Sequence, residues 1–87
     1  MAVAVTGTFE EVDTNSDPIT ARLVNIDLTF AGTATVNLQW KVDGTNWRTI
    51  ESYTASDQIV FEAARVPLRL NCSAYTNDVT YAMLAGD

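Results

Sequence analysis

The chain has 87 residues, which is one domain with a thin core. Apolar residues make up 47% of it, too many for a disordered chain. The 11 acidic residues against 5 basic give a net charge of −6, which argues against a nucleic-acid partner, and no run approaches the ~18 apolar residues of a membrane span.

In chain order, residues 3–12 place Val3, Val5 and Phe9 on one face, with Gly7 as an expected bend or bulge. Residues 1–12 are a candidate mobile or strand-exchanging arm. The start, Met1 to Thr6, has no basic region and no long apolar run, so no signal peptide is expected. Asp13-Thr14-Asn15-Ser16-Asp17-Pro18 reads as a polar loop. Asp13, Asn15 and Asp17 have the spacing that opens a calcium loop. Its sixth and twelfth places, however, hold Pro18 and Val24 instead of glycine and a carboxylate, so a solvated turn is the reading.

Residues 23–30 alternate, with Val24, Ile26, Leu28 and Phe30 against Asn25, Asp27 and Thr29. A period of two puts the apolar set on one face of a strand. Ala31-Gly32-Thr33 predicts a hairpin into residues 33–43, where every even position is apolar and every odd one polar. Trp40 has inward parity there. Asp43-Gly44-Thr45-Asn46 predicts a second hairpin, with Gly44 supplying positive φ. Over residues 47–54, Trp47, Ile50 and Tyr53 do not share one parity, which predicts a bulge or a twisted edge. Ala55-Ser56-Asp57 closes a further turn, and Ile59 and Phe61 anchor a strand over 58–62. Phe61 to Arg65 tolerates a helix, but it is short and Pro67 ends it. Residues 66–75 alternate again, with Val66, Leu68, Leu70, Cys72 and Ala74 inward and Arg69, Asn71, Ser73 and Tyr75 outward. A turn at Thr76-Asn77-Asp78 leads to Val79, Tyr81 and Met83 on one face.

Twelve threonines and nine valines suit pleated strands. Strands with short turns every 8–15 residues predict one all-β domain over residues 1–87. Its architecture is an antiparallel β-sandwich, jelly-roll or immunoglobulin-like, of about seven to eight strands.

Chemistry-bearing constellations are scarce. The chain has no histidine, so none of its four serines has the usual base and the commonest metal ligand is missing. Glu10 and Glu11 are adjacent, and on a strand they point to opposite faces, unlike a convergent catalytic pair. Cys72 is the only cysteine, has inward parity and reads as a small core hydrophobe. A lone cysteine makes no disulfide within the chain, which fits assembly in a reducing cytoplasm. No catalytic, cofactor or metal residues are assigned. The outward row Thr33, Thr35, Asn37, Gln39 and Lys41 is poor in charge, and so is the row Asn71, Ser73 and Tyr75. Both a solvated face and a subunit contact fit them. Candidate interface residues are Trp47, Tyr53, Tyr75, Thr35, Asn37, Gln39, Arg69 and Asn71. Exposed aromatics, Trp47 first, also admit a carbohydrate-binding surface.

Asp43-Gly44-Thr45-Asn46-Trp47 resembles a shortened Asp-box, the hairpin of sialidase-type propellers. There the aspartate ties the turn and the tryptophan packs beneath it. The version here is one residue short and occurs once, so no activity is carried over. A wider resemblance covers residues 23–84. Leu38-Gln39-Trp40-Lys41-Val42-Asp43-Gly44-Thr45-Asn46-Trp47, Glu51-Ser52-Tyr53-Thr54-Ala55, Arg69-Leu70-Asn71-Cys72-Ser73-Ala74-Tyr75-Thr76 and Val79-Thr80-Tyr81 are similar to small β-sandwich virion proteins of tailed bacteriophages. Lys41 stands where that pattern often has serine, and Asn77-Asp78 replaces a Ser-Gly turn. The resemblance implies a non-enzymatic virion protein assembled in the host cytoplasm. A capsid decoration (cement) protein is the first expectation, and a tail or fibre-base component the second. It further implies a homo-oligomer, with a trimer favoured, that contacts the major capsid protein or other virion proteins.

Overall fold

A computed structural model describes residues 3–86, so Met1 and Ala2 of the expected N-terminal arm lie outside the described residues. Eight strands form: β1 (Ala4–Phe9), β2 (Thr14–Asn15), β3 (Leu23–Phe30), β4 (Ala34–Trp40), β5 (Arg48–Tyr53), β6 (Asp57–Glu62), β7 (Leu68–Tyr75) and β8 (Val79–Ala85). They make two four-stranded sheets, in the orders β1-β8-β3-β6 and β2-β7-β4-β5, with every pairing antiparallel. The chain changes sheet at every connection except β4 to β5. That is the jelly-roll order. An immunoglobulin-like sandwich would instead join several sequential neighbours within one sheet.

The turns are where the structure departs most from the sequence reading. Only Asp43–Asn46 closes a hairpin, between β4 and β5. Residues 31–33, 55–57 and 76–78 are arches that carry the chain from one sheet to the other. A short polar link reverses the chain equally well within a sheet or across the ~10 Å gap between sheets, and periodicity does not distinguish the two. Two of the arches are tied together. Thr33 N donates to Asn77 Oδ1 at 3.0 Å, and Thr76 N and Asn77 N donate to Thr33 O at 3.0 Å each. A Cβ on Gly32 would collide with the Asn77 amide.

The alternating stripes supply the core. Val24, Ile26 and Leu28 of β3, Val36 and Leu38 of β4, Leu68, Leu70 and Cys72 of β7, and Val79 and Met83 of β8 are buried between the sheets. Burying each large aliphatic side chain stabilises the fold by roughly 1.5–3 kcal/mol. Trp40 and Phe61 meet edge to face across the two sheets, with centroids 5.5 Å apart. Both are half-buried and packed against the core.

Several parities needed correction. The stripe of β4 stops at Trp40, so Val42 lies in the hairpin loop and is 63% exposed. In β7 the register slips opposite Thr35 and Val36, so that Ser73 is the extra residue. Beyond that bulge the faces exchange. Ala74 turns outward and Tyr75 turns inward against the core. The irregularity expected after Trp47 is present, with Ile50 as the extra residue between Thr49 and Glu51. Gly7, by contrast, makes no bend, because β1 pairs with β8 in unbroken register. A Cβ there would stand 2.6 Å from the Tyr81 hydroxyl, so glycine makes room for Tyr81, whose ring stacks on Phe9 at 4.6 Å. Residues 4–9 of the expected arm are thus an edge strand of this chain's own sheet.

The polar loop at 13–18 contains β2. Asp13 adopts φ 61°, and its N–H, with that of Ser16, donates to β7 carbonyls at 2.8 Å. Ser16 is the one buried polar residue among those described, and its hydroxyl accepts from Leu70 N at 2.9 Å. The helix-tolerant stretch ends β6 and then turns through Ala64 and Arg65 at φ 51° and 62°. Hydrogen bonds to the carbonyls of Ala21 and Arg22 hold that left-handed turn.

Candidate functional site: a face of cross-strand polar ladders

The outer face of the β2-β7-β4-β5 sheet collects most of the predicted interface residues. Paired positions in adjacent strands point to the same side of a sheet. The register therefore aligns Ser52, Asn37, Asn71 and Asn15 in one row across all four strands. Ser52 Oγ donates to Asn37 Oδ1 at 2.6 Å, Asn37 Nδ2 to Asn71 Oδ1 at 3.2 Å, and Asn71 Nδ2 to Asn15 Oδ1 at 2.7 Å. The next row runs in the opposite sense. Arg69 Nε donates to Gln39 Oε1 at 2.9 Å, and Gln39 Nε2 donates to Thr49 Oγ1 at 3.1 Å. Thr35 lies on the same face, opposite Ala74. Asn37, Asn71 and Gln39 each both donate and accept, so neighbouring dipoles reinforce one another.

Trp47 stands at the end of this face. Asp43 orders the loop that presents it. The Asp43 carboxylate accepts from Thr45 N at 2.8 Å, from Asn46 N at 2.7 Å and from Asn46 Nδ2 at 2.9 Å. Those bonds stabilise the ionised form and lower its pKa to about 2. Gly44 takes φ 78° in the same turn. The aspartate therefore ties the turn as in an Asp-box, but the tryptophan is outside the buried core cluster. Its ring carries two cations instead, with Arg69 Cζ 4.4 Å and Lys41 Nζ 5.0 Å from the centroid. Partial burial pulls the Arg69 pKa below its usual value.

Six of the eight predicted interface residues thus share one surface: Trp47, Thr35, Asn37, Gln39, Arg69 and Asn71. Tyr53 and Tyr75 do not. Tyr53 pairs with Val36 and packs against the core. Tyr75, read as outward, packs inward past the bulge, and its hydroxyl donates to the Asp78 carboxylate. Burial raises the Tyr53 pKa, and the bond to Asp78 raises that of Tyr75. Cys72 is fully buried, as its parity predicts, and burial raises its thiol pKa. The sequence places Asn15 and Ser16 in a polar loop and not in this face, because the two-residue β2 carries no periodic signal.

The opposite outer face is different. On the β1-β8-β3-β6 sheet an open groove of ≈ 520 Å³ is lined by Asn25, Asp27, Gln58, Val60, Ala82 and Leu84, among others. Val60 is 67% and Leu84 43% exposed. Among the described residues no group of three or more His, Cys, Asp and Glu side chains is placed to hold a metal ion. No described helix is long and apolar enough to cross a membrane. No protein-family model, curated protein or solved structure matches the chain.

Proposed function

We propose that the chain is a non-enzymatic building block of a phage particle, a capsid decoration protein that stabilises the shell through many weak contacts. The observation that carries this reading is the laddered face. Its amides and hydroxyls bond to one another, which holds them in fixed positions across the four strands. Such a surface suits contact with another protein better than it suits turnover, which needs groups free to bind and move a proton. The resemblance in strand and turn pattern supplies the virion context. In that context a homo-oligomer, with a trimer favoured, contacts the major capsid protein or other virion proteins. Multiple copies convert modest patches into firm attachment. Mass analysis of purified particles tests the reading. Hundreds of copies per particle, with shells that break at lower temperature when the chain is missing, are expected. A few to a few dozen copies would move it to the tail or fibre base, and none would overturn the virion assignment.

A carbohydrate-binding module is the second reading, and Trp47 is its platform. Two cations over that ring weigh against it, because both already occupy the aromatic surface that a sugar would use. Glycan-array binding that disappears in Trp47→Ala would favour this reading over the first.

A further inference from the structure

We propose that the chain associates with itself head to tail, with the Trp47 corner of one copy entering the groove on the β1-β8-β3-β6 sheet of the next. This rests on the building-block reading above and names its contact. The corner is an aromatic ring bearing two cations, Lys41 and Arg69, in a chain whose net charge is −6. Neither cation has an ion-pair partner among the described residues, and the side-chain acceptor of Arg69 is the neutral Gln39. The groove has the converse character. Val60, Ala82 and Leu84 give it apolar walls, and Asp27 places one carboxylate in it. Asp27 makes no hydrogen bond or ion pair with another described side chain.

The two patches complement each other: Lys41 and Arg69 outweigh the single Asp43 carboxylate of the corner loop, and the charged residue of the groove is Asp27. Two corners brought together oppose that positive excess, and two grooves bring Asp27 towards Asp27. The charges therefore select a heterologous contact over a two-fold symmetric one. The patches lie on opposite outer faces of the sandwich. Each copy thus engages two neighbours without one contact blocking the other.

Sedimentation velocity on the full chain, over a range of concentrations, tests the contact. The wild-type chain is expected to associate. Asp27→Arg and Arg69→Asp are each expected to require about tenfold more protein for the same association. Mixing the two is expected to restore it, because each variant keeps the patch that the other lacks. Lys41→Asp, which leaves both ladders intact, replaces Arg69→Asp if the latter fails to fold. A wild-type chain that stays monomeric, variants that associate like wild type, or a mixture that stays apart would overturn the proposal. Particle binding separates this from the proposed function. A monomer that still occupies shells in high copy sinks the head-to-tail contact alone. Association as described, with no copies on particles, sinks the virion reading alone.

Discussion

The two outer faces of this sandwich handle exposed strand positions in opposite ways. On the β2-β7-β4-β5 face, Asn, Gln, Ser and Thr side chains bond sideways from strand to strand, and the central Asn37, Gln39 and Asn71 are half-buried. On the β1-β8-β3-β6 face, Thr6, Thr8, Thr29 and Thr80 stand exposed, and Val60 and Leu84 project around an open groove. A polar side chain that bonds its neighbour adds to the stability of the single chain. An exposed apolar side chain adds nothing until a partner covers it. The laddered face thus carries bonds that stabilise the single chain, whereas the groove face carries apolar surface that contributes nothing to the isolated fold.

Four perturbations test that division. The largest effect belongs to neither face. Trp40→Ala removes the edge contact with Phe61 that joins the sheets behind both, and about 3 kcal/mol of stability should be lost in urea unfolding, the low end for an aromatic truncation because Trp40 is only half-buried. A loss under about 1 kcal/mol would mean that the sheets are held together without it. Next, Asn71→Ala removes the centre of the four-strand ladder and leaves the Asn37 and Asn15 amides without that partner. Destabilisation of about 1–2 kcal/mol is expected, and an unchanged unfolding midpoint would reduce the ladder to decoration.

The third perturbation is acid. The Asp43 pKa is depressed, so its contribution to the hairpin is fully present above the ordinary carboxylate value of 3.8 and is lost as pH falls through about 2. Amide resonances of Thr45 and Asn46 should move together in that window; movement near pH 4 would show that the turn bonds do not hold the carboxylate. The smallest effect on folding is expected on the groove. Val60→Ser and Leu84→Ser should each change stability by less than about 0.5 kcal/mol while weakening self-association. If they destabilise the monomer as much as Asn71→Ala does, the division between the faces fails.

The candidate surface was legible in part. Outward parity alone pointed Thr35, Asn37 and Gln39 of one strand, and Arg69 and Asn71 of another, away from the core, and the pairing of β4 with β7 puts them on one face. Parity did not show that their amides bond in rows, because that depends on which strands are neighbours. Asn37 and Asn71 are 34 positions apart and meet only because β7 lies beside β4. Tyr75 was misplaced for a related reason. One extra residue, Ser73, reverses every face beyond it, and a bulge leaves no mark in an otherwise regular alternation. Asn77 and Asp78, where the sequence departs from the phage pattern, are occupied within the chain by Thr33 and Tyr75. The groove escaped notice altogether. Val60 and Leu84 are single apolar residues on polar faces, and they become a patch only when β6 and β8 flank β3.

Seven of the eight strands, most of their buried faces and the Asp43 turn are legible in the sequence. These depend on a period of two and on local bonds, which neighbouring residues suffice to write. Only the tertiary structure decided the jelly-roll order, the arches in place of hairpins and the contrast between the two outer faces. Those follow from pairing between distant strands, and a short turn is compatible with more than one such pairing.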